Sequence, residues 1–241
     1  MISDRQKRIL LAIIEEFMDS AEEIGSNNLI QKHDLGVSSA TVRSEMVRLM
    51  SEGLLAKSHI SSGRIPTDTA IRMYIDERAR NSSISALDEI EIRQGIFSVR
   101  FSQEQLINQM LHILSNKCDS AAFYLTDDNR RYYGVSSLMK YDELRDLEVL
   151  QRVLDILEDE NMLRKVFSKY NSDDAVSLII GGESGIKHLE NCSILFTSIQ
   201  LSKDKIGHLG IIGPRRLDYK NVIAVIRTLK NSVEQSLRGW V

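Results

Sequence analysis

One segment, residues 36–68, constrains the fold of this chain more than any other. Ser38 or Ser39 is positioned to cap a helix that runs to about Glu52. A short basic hairpin with a Ser-Ser-Gly turn at residues 61–63 follows that helix. This combination is typical of a winged helix-turn-helix domain, in which the second helix of the motif enters the major groove of duplex DNA. The sequence therefore predicts a DNA-reading module near the amino terminus.

The composition limits the class of protein. The chain has 241 residues, of which 42% are hydrophobic and 27% charged, with only two prolines, as expected for an ordered, soluble, cytoplasmic protein of about two domains. It contains no run of about 18 apolar residues that could span a membrane and no secretory leader pattern. Cys118 and Cys192 are far apart and lack partners at metal-ligand spacing, which excludes a disulfide framework and a zinc site.

The distribution of charge matters more than its sum. The net charge is −3, and residues 1–80 hold 11 Lys or Arg against 12 Asp or Glu, so even the predicted DNA-binding domain is nearly neutral. Within residues 38–66, four cations outnumber two acids: Arg43, Arg48, Lys57 and Arg64 against Glu45 and Glu52. A local positive stripe of this kind favours a site-specific DNA reader over a nonspecific coat.

The residues before this segment complete a three-helix frame. Ser3 and Gln6 form a capping-box pattern that opens an amphipathic helix ending near Ser20. A second, short helix is predicted over residues 26–33. Gly36 then lies in the turn before the third helix, where a positive φ is often required.

The third helix has two chemically distinct faces. Val42, Met46 and Leu49 share one stripe that must pack on the first two helices. Small hydroxyl-bearing residues and two arginines point the other way, a pattern that suits contact with phosphates and base edges. The alternative is an ordinary solvated helix face. The predicted DNA-binding residues are Ser38, Ser39, Thr41, Arg43, Ser44, Arg48, Lys57, His59, Ser61, Ser62, Arg64 and Thr67.

The predicted wing lies between Leu54 and Pro66 and would follow the sugar-phosphate backbone. By itself this hairpin could equally be an ordinary loop. Pro66 should end its second strand, because proline cannot donate a hydrogen bond into a ladder. Thr67 should cap a fourth helix, residues 68–80, that bridges to the rest of the molecule.

The remainder of the chain predicts an α+β domain. Residues 81–101 read as a linker that is polar at residues 81–83 and helical from there to about residue 100. Residues 102–241 read as a sensor-like domain in which short strands alternate with helices. Ser102 and Asp218 should cap helices, strands are expected over residues 121–125, 132–136, 176–180, 193–197 and 209–212, and a long acidic helix over residues 142–167.

Nothing in this half predicts catalysis. The glycine-rich segment 181–185 lacks the Lys-Ser/Thr of a phosphate-binding loop and the spacing of a dinucleotide fingerprint, so it reads as a plain turn after a strand. His112, His188 and His208 stand alone, without a Ser/His/Asp or paired-His pattern. We therefore expect no enzyme activity, no catalytic or metal site and no cofactor.

Three segments carry a resemblance to a known family: residues 35–43 (LGVSSATVR), residues 59–68 (HISSGRIPTD) and residues 207–219 (GHLGIIGPRRLDY). They resemble the heat-inducible transcription repressor HrcA family, over most of residues 3–80 and 175–237. The resemblance implies a winged helix-turn-helix domain at residues 1–80 and a reduced GAF-like fold at residues 102–241. It also implies a homodimeric repressor of chaperone operons that binds an inverted-repeat operator and is modulated by a GroEL-type chaperonin.

One departure from the family is large. Its members are usually about a hundred residues longer, with an inserted dimerisation domain between the segments that correspond to residues 121–126 and 132–137, where this chain has too few residues for any domain. This sequence resembles a shortened form lacking that insertion, so the family's mode of dimerisation cannot be transferred to it.

The sequence is also compatible with two other functions. The GAF-like domain could sense a small molecule and control the same DNA module. Alternatively, the winged helix could bind another protein and have no DNA role, although the arginine-bearing face of the third helix argues against this.

Overall fold

A computed structural model describes residues 2–20, 22–57, 63–159, 161–164, 167, 175–202 and 205–237. The chain divides into two compact units, Met1–Arg78 and Ala79–Val241.

The first unit contains four helices and a small hairpin. The helices are α1 (Asp4–Ser20), α2 (Ser26–Lys32), α3 (Ser39–Ser51) and α4 (Asp68–Tyr74), and the hairpin pairs β1 (Leu55–Ala56) with β2 (Ile65–Pro66) in antiparallel register. A π-helical turn, Ile75–Ala79, continues α4. The capping box predicted at the start of α1 is confirmed, because the Gln6 side chain accepts from the Ser3 amide at 2.8 Å and Ser3 Oγ accepts from the Gln6 amide at 3.3 Å.

The core of the first unit forms where α3 and α4 pack on α1. Ile9, Ile13 and Ile14 of α1 are fully buried, as are Val42 and Leu49 of α3. The apolar stripe predicted for the third helix therefore faces inward, and the opposite side of α3 is left to solvent.

The second unit is built on a five-stranded antiparallel sheet of order β4-β3-β7-β6-β5. Its strands are β3 (Ala121–Leu125), β4 (Arg130–Tyr133), β5 (Ser177–Ile180), β6 (Cys192–Ser202) and β7 (Lys205–Pro214). Its helices are α5 (Ala86–Val99), α6 (Gln103–Cys118), α7 (Leu147–Glu158) and α8 (Tyr219–Leu237).

Helices cover both faces of this sheet. Phe123 and Phe196 point to the face where α7 contributes Val153 and Ile156 to the core. Helices α6 and α8 pack on the opposite face, where the Ser193 hydroxyl hydrogen-bonds the Tyr219 hydroxyl at 2.8 Å. The mixed helix-and-sheet class predicted from the sequence is confirmed.

The helical stretch predicted within residues 81–101 is confirmed as α5, whose Ile92 and Ile96 are fully buried in the second unit. Two predicted boundaries are wrong. Strand β4 ends at Tyr133 rather than at residue 136, because Gly134 turns the chain with a φ of 82° and a 3-10 helix, Val135–Lys140, follows.

The acidic helix also starts later than predicted. Asp146 caps α7 by accepting from the Glu148 amide at 2.9 Å, and a separate 3-10 turn, Asp142–Leu144, precedes it. Helix α7 ends at Glu158, residues 161–164 are helical again, and residues 160 and 165–166 of the predicted span lie outside the described residues. Within the described ranges, no helix is both long enough and apolar enough to cross a membrane.

Candidate nucleic-acid interface

Helix α3 begins at a hydroxyl cap. Ser38 is its N-cap, and its Oγ accepts from the Thr41 amide at 3.2 Å and lies 3.0 Å from Thr41 Oγ1. The cap satisfies one of the backbone donors that a helix start leaves unpaired. Ser38 and Thr41, both predicted to bind DNA, therefore also fix the first turn of α3.

A buried carboxylate ties α3 to α1. Glu45 is only 2% exposed, and one of its oxygens accepts from Arg5 Nε at 3.0 Å and from Arg5 Nη2 at 2.5 Å. Its other oxygen lies 3.6 Å from Nη1 of Arg48. Glu45, the acid that lies among these cations in the sequence, therefore faces the interior, where Arg5 and Arg48 balance its negative charge.

Glu45 remains ionised because of these partners. Burial alone would raise its pKa, but hydrogen bonds and charge from Arg5, together with the charge of Arg48, lower that pKa below the usual 4.5. The same helix consequently carries an anion on its inner side and cations on its outer side.

The outer face of α3 has small residues at its centre and arginines at its edges. Ala40 and Ser44 are exposed, and Val47 is 55% exposed. Arg43 and Arg48 are also exposed and lie about 140° apart around the helix axis, on either side of that central row. Among the described residues, Arg43 has neither a hydrogen bond nor an ion pair, and the Arg48 side chain is 64% exposed despite its contact with Glu45.

The hairpin after α3 is anchored to the chain between α1 and α2. Ile24 and Arg64 form an antiparallel bridge with amide-to-carbonyl distances of 2.9 and 3.0 Å. A side chain at Gly63 would meet the backbone of Glu23 at 2.8 Å, so only glycine fits this close approach. These contacts give the Gly-Arg-Ile-Pro-Thr-Asp motif a structural role.

The predicted site residues of the hairpin separate into three groups. Lys57 is exposed at the end of β1. Arg64 is half-buried and donates to the Gly63 carbonyl at 3.0 Å, while Thr67 Oγ1 donates to the Gly53 carbonyl and caps α4. His59, Ser61 and Ser62 lie outside the described residues. Pro66, expected to end the second strand, is itself the last residue of β2.

A second buried carboxylate holds α2 against α1. Glu16 is 7% exposed and pairs with Lys32 Nζ at 2.5 Å and with His33 Nε2 at 3.0 Å. Burial opposes ionisation, but these two partners lower the pKa of Glu16 below the usual 4.5. Sequence reasoning missed both Arg5 and Glu16 as positioning residues, because their partners lie 40 and 16 residues away and no local pattern marks them.

The second unit contains a surface cleft. A cleft of about 660 Å³ beside the β3–β4 connection is lined by side chains that include His112, Asp127 and Tyr133. Within the residues that the structure describes, no group of three or more His, Cys, Asp or Glu side chains could hold a metal. Burial raises the pKa of both thiols, that of Cys192 to about 12. Burial therefore disfavours the thiolate form of both cysteines.

Comparison with solved structures confirms the architecture. A crystal structure of a hypothetical protein superposes with a TM-score of 0.82 over 100% of both chains, at 16% sequence identity. At that identity the likeness shows the fold alone.

Comparison with known sequences identifies the family. Heat-inducible transcription repressor HrcA of Pelotomaculum thermopropionicum is 24% identical, with 100% of this chain and 98% of the relative covered. The protein of the same name from Clostridium tetani is also 24% identical, with 99% and 97% covered. The alignment to the first relative spans 341 positions against 241 residues in this chain, which agrees with the predicted shortening. A family model described as HrcA protein C terminal domain matches residues 14–223, and the chain therefore belongs to the HrcA family.

Proposed function

We propose that this chain is a sequence-specific, DNA-binding transcriptional repressor. In this proposal the first unit is a winged helix-turn-helix domain, α3 is its recognition helix and the β1–β2 hairpin is its wing. One observation carries the proposal. The outer face of α3 presents Arg43 and Arg48 without an exposed acid between them, since Glu45 is buried against Arg5.

The arrangement of that face suits a major groove. Ala40, Ser44 and Val47 form a central row, and their side chains are short enough for the helix backbone to approach the base edges. Apolar groups such as those of Ala40 and Val47 can contact a thymine methyl, and a serine hydroxyl can bond either a donor or an acceptor on a base. Arg43 and Arg48, at the edges, would reach the phosphates on the two sides of the groove.

Fewer residues are proposed to contact DNA on the basis of the structure than are predicted to do so from the sequence. We assign direct contact to Ser39, Ser44, Arg43, Arg48 and Lys57. Ser38, Thr41, Arg64 and Thr67 have contacts within the domain that position the helices and the hairpin. His59, Ser61 and Ser62 stay predictions from the sequence.

The family relationship supports the biological role. HrcA relatives carry the name heat-inducible transcription repressor, and we propose that this chain represses heat-shock operons as a homodimer on an inverted repeat. We propose further that the second unit is a reduced GAF-like domain and that a GroEL-type chaperonin keeps the repressor active. The chaperonin proposal predicts that added chaperonin raises operator occupancy, and unchanged occupancy would refute it.

The DNA proposal is tested with duplexes that the purified chain selects from a random-sequence library. We expect selection of an inverted repeat, because a two-fold dimer presents two recognition helices. Arg43→Ala and Arg48→Ala should each weaken binding at least about tenfold and reduce the slope of log affinity against log salt by about two, because each copy in the dimer loses one phosphate contact.

The matched control is Arg145→Ala, which removes an exposed arginine that precedes α7 in the second unit. Its affinity and salt slope should equal those of the wild type. If Arg43→Ala and Arg145→Ala behave alike, or if no duplex is enriched even at low salt, α3 does not contact DNA.

Ligand sensing by the second unit is a second candidate function, favoured by the cleft beside the β3–β4 connection. Its volume of about 660 Å³ lies in the range of small-molecule sites, and it combines aromatic and charged side chains. Binding there would raise the melting temperature of the full chain in the presence of ligand, and Tyr133→Ala would abolish the rise. A metabolite panel that produces no shift discards this function.

A further inference from the structure

Helix α5 exposes a continuous row of large apolar side chains. Leu87 is 80% exposed, Ile90 51%, Phe97 56% and Phe101, just past the end of the helix, 66%. Together with Gln94 they follow spacings of three and four residues, which places them on one side of the helix. We call this set the α5 stripe.

The opposite side of α5 is already buried in the second unit. Ile92 and Ile96 are fully buried, and Gly95 packs against Gln109 and Ile113 of α6. A helix that is apolar on both sides is typical of a helix covered on both sides. Exposed apolar rows of this kind mark interaction surfaces.

We propose that the α5 stripe binds the α5 stripe of a second copy of this chain in an antiparallel pair. The stripe is close to symmetric about Gln94, with Leu87 and Phe101 each seven residues away and Ile90 and Phe97 four and three residues away. In an antiparallel pair, Leu87 and Ile90 meet Phe101 and Phe97 of the second copy. Each aliphatic side chain then faces an aromatic one, and the Gln94 amides face each other on the two-fold axis.

The charges beside the stripe do not oppose this pairing. Arg93 bonds Glu89 at 2.6 Å within the same helix, and Lys117 of α6 bonds both Asp88 and Glu91 at 2.7 Å. These two cations therefore pair with all three flanking acids within each copy and leave a net charge of −1 among the five residues.

A cation also borders the aromatic end of the stripe. The Arg100 guanidinium lies 3.4 Å from the ring centroid of Phe97 and 4.0 Å from that of Phe101. Its position gives the apolar patch a polar rim, as interfaces usually have.

The size of the helix sets the expected affinity. A 14-residue helix is about 21 Å long, so a single helix pair buries less than a standard interface of about 800 Å² per partner. We expect a dimer that dissociates at micromolar concentration. A role for this dimer in binding two operator half-sites rests on the proposed function, whereas self-association through α5 does not.

The test is sedimentation equilibrium of the full chain and of two matched variants. Leu87→Glu places a charge in the stripe, and Leu147→Glu makes the same change at a side chain that is 77% exposed at the start of α7. We expect dimers for the wild type and Leu147→Glu, and at least a tenfold weaker dimer for Leu87→Glu with an unchanged circular-dichroism spectrum. A monomeric wild type, or an undiminished Leu87→Glu dimer, overturns the proposal.

Disulfide trapping tests the direction of the pair. Because Cys118 and Cys192 are buried, new surface cysteines can be oxidised selectively. A mixture of Leu87→Cys and Phe101→Cys chains should form a cross-linked heterodimer, while either variant alone should not. Cross-linking of each variant with itself would contradict the antiparallel arrangement. Trapped dimers that bind no duplex would refute the proposed function and leave this inference standing.

Discussion

Helices α3 and α5 have almost the same length, 13 and 14 residues, and each buries one side in its own unit, yet their outer faces differ in kind. The outer face of α3 presents small residues between two arginines, whereas that of α5 presents four large apolar side chains. A cationic face of low relief suits a polyanion, and an apolar face suits another apolar face. We therefore propose two different partners for these helices, DNA for α3 and a second copy of the chain for α5.

The inner faces differ in the same sense. On α3 the buried side includes the anion Glu45, whose charge is balanced mainly by Arg5 of α1, so no acid is exposed beside Arg43 and Arg48 on the outer face. On α5 the buried side contributes Ile92 and Ile96 and is purely apolar at these positions. This comparison of the buried sides shows that the location of an acid, rather than the number of acids, decides whether a helix face is basic.

The largest expected effect separates the two sides of α5. Ile92→Ala should lower the free energy of unfolding by about 2–5 kcal/mol, because it removes a fully buried side chain. Ile90→Ala, on the exposed side, should change that free energy by less than about 0.5 kcal/mol and weaken self-association instead. Denaturant unfolding below the dimerisation concentration measures the free energy of unfolding of both variants. Equal losses of that free energy would show that the two sides of α5 are not distinct.

The next effect concerns the centre of the α3 face. Val47→Glu places an anion between Arg43 and Arg48, where it would repel phosphate and pair with those cations. We expect at least a tenfold loss of affinity for selected duplexes, about 1.4 kcal/mol or more, with unchanged thermal stability. Val47→Gln, which is similar in size to glutamate and uncharged, is the control and should lose less. Equal losses would mean that shape rather than charge governs this face.

The third effect is the pH dependence of the first unit. The Glu45 pKa is lowered in the folded protein, so its ionised form contributes stability above pH 4.5. That contribution is lost as the pH falls through the folded-state pKa. Thermal melting between pH 7 and pH 3 should show a smaller acid destabilisation for Glu45→Gln than for the wild type. Parallel pH profiles would contradict the ion pair with Arg5.

The smallest effect is at the start of α3. Ser38→Ala removes the cap and should cost about 1 kcal/mol, while Ser38→Asn, which keeps a capping oxygen, should cost much less. Melting temperatures of the two variants provide the measurement. If both variants melt like the wild type, the Ser38 hydroxyl does not stabilise the helix.

The contrast between α3 and α5 also explains what could be predicted from the sequence. Val42, Met46 and Leu49 alternate with polar residues at helical spacing, so the boundaries and the inner face of α3 could be inferred. Helix α5 carries apolar residues on both sides, which removes the contrast on which periodicity depends. For this reason the sequence indicates a helix within the linker assignment of residues 81–101 but does not show which side of that helix is buried.

Other contacts could not be inferred because they depend on distant residues. Arg5 and Glu45 are 40 residues apart, and the Ile24–Arg64 bridge is formed by two segments that only the folded chain brings together. Without the bridge, Arg64 reads only as a DNA ligand, whereas the folded chain makes it part of the framework that positions the hairpin. For Thr67 the sequence predicts both a DNA contact and the cap of α4, and the cap is confirmed.

The most direct test of the central claim, that the outer face of α3 enters the major groove, is localised cleavage of a bound duplex. Iron-EDTA tethered to Ser44→Cys should cut selected duplexes at two sites separated by one helical turn, about 34–36 Å, or a multiple of it. The isosteric control Ser136→Cys, an exposed serine of the second unit, should not give these cuts. Uniform or absent cleavage from Ser44→Cys on a duplex that the protein binds would contradict the account.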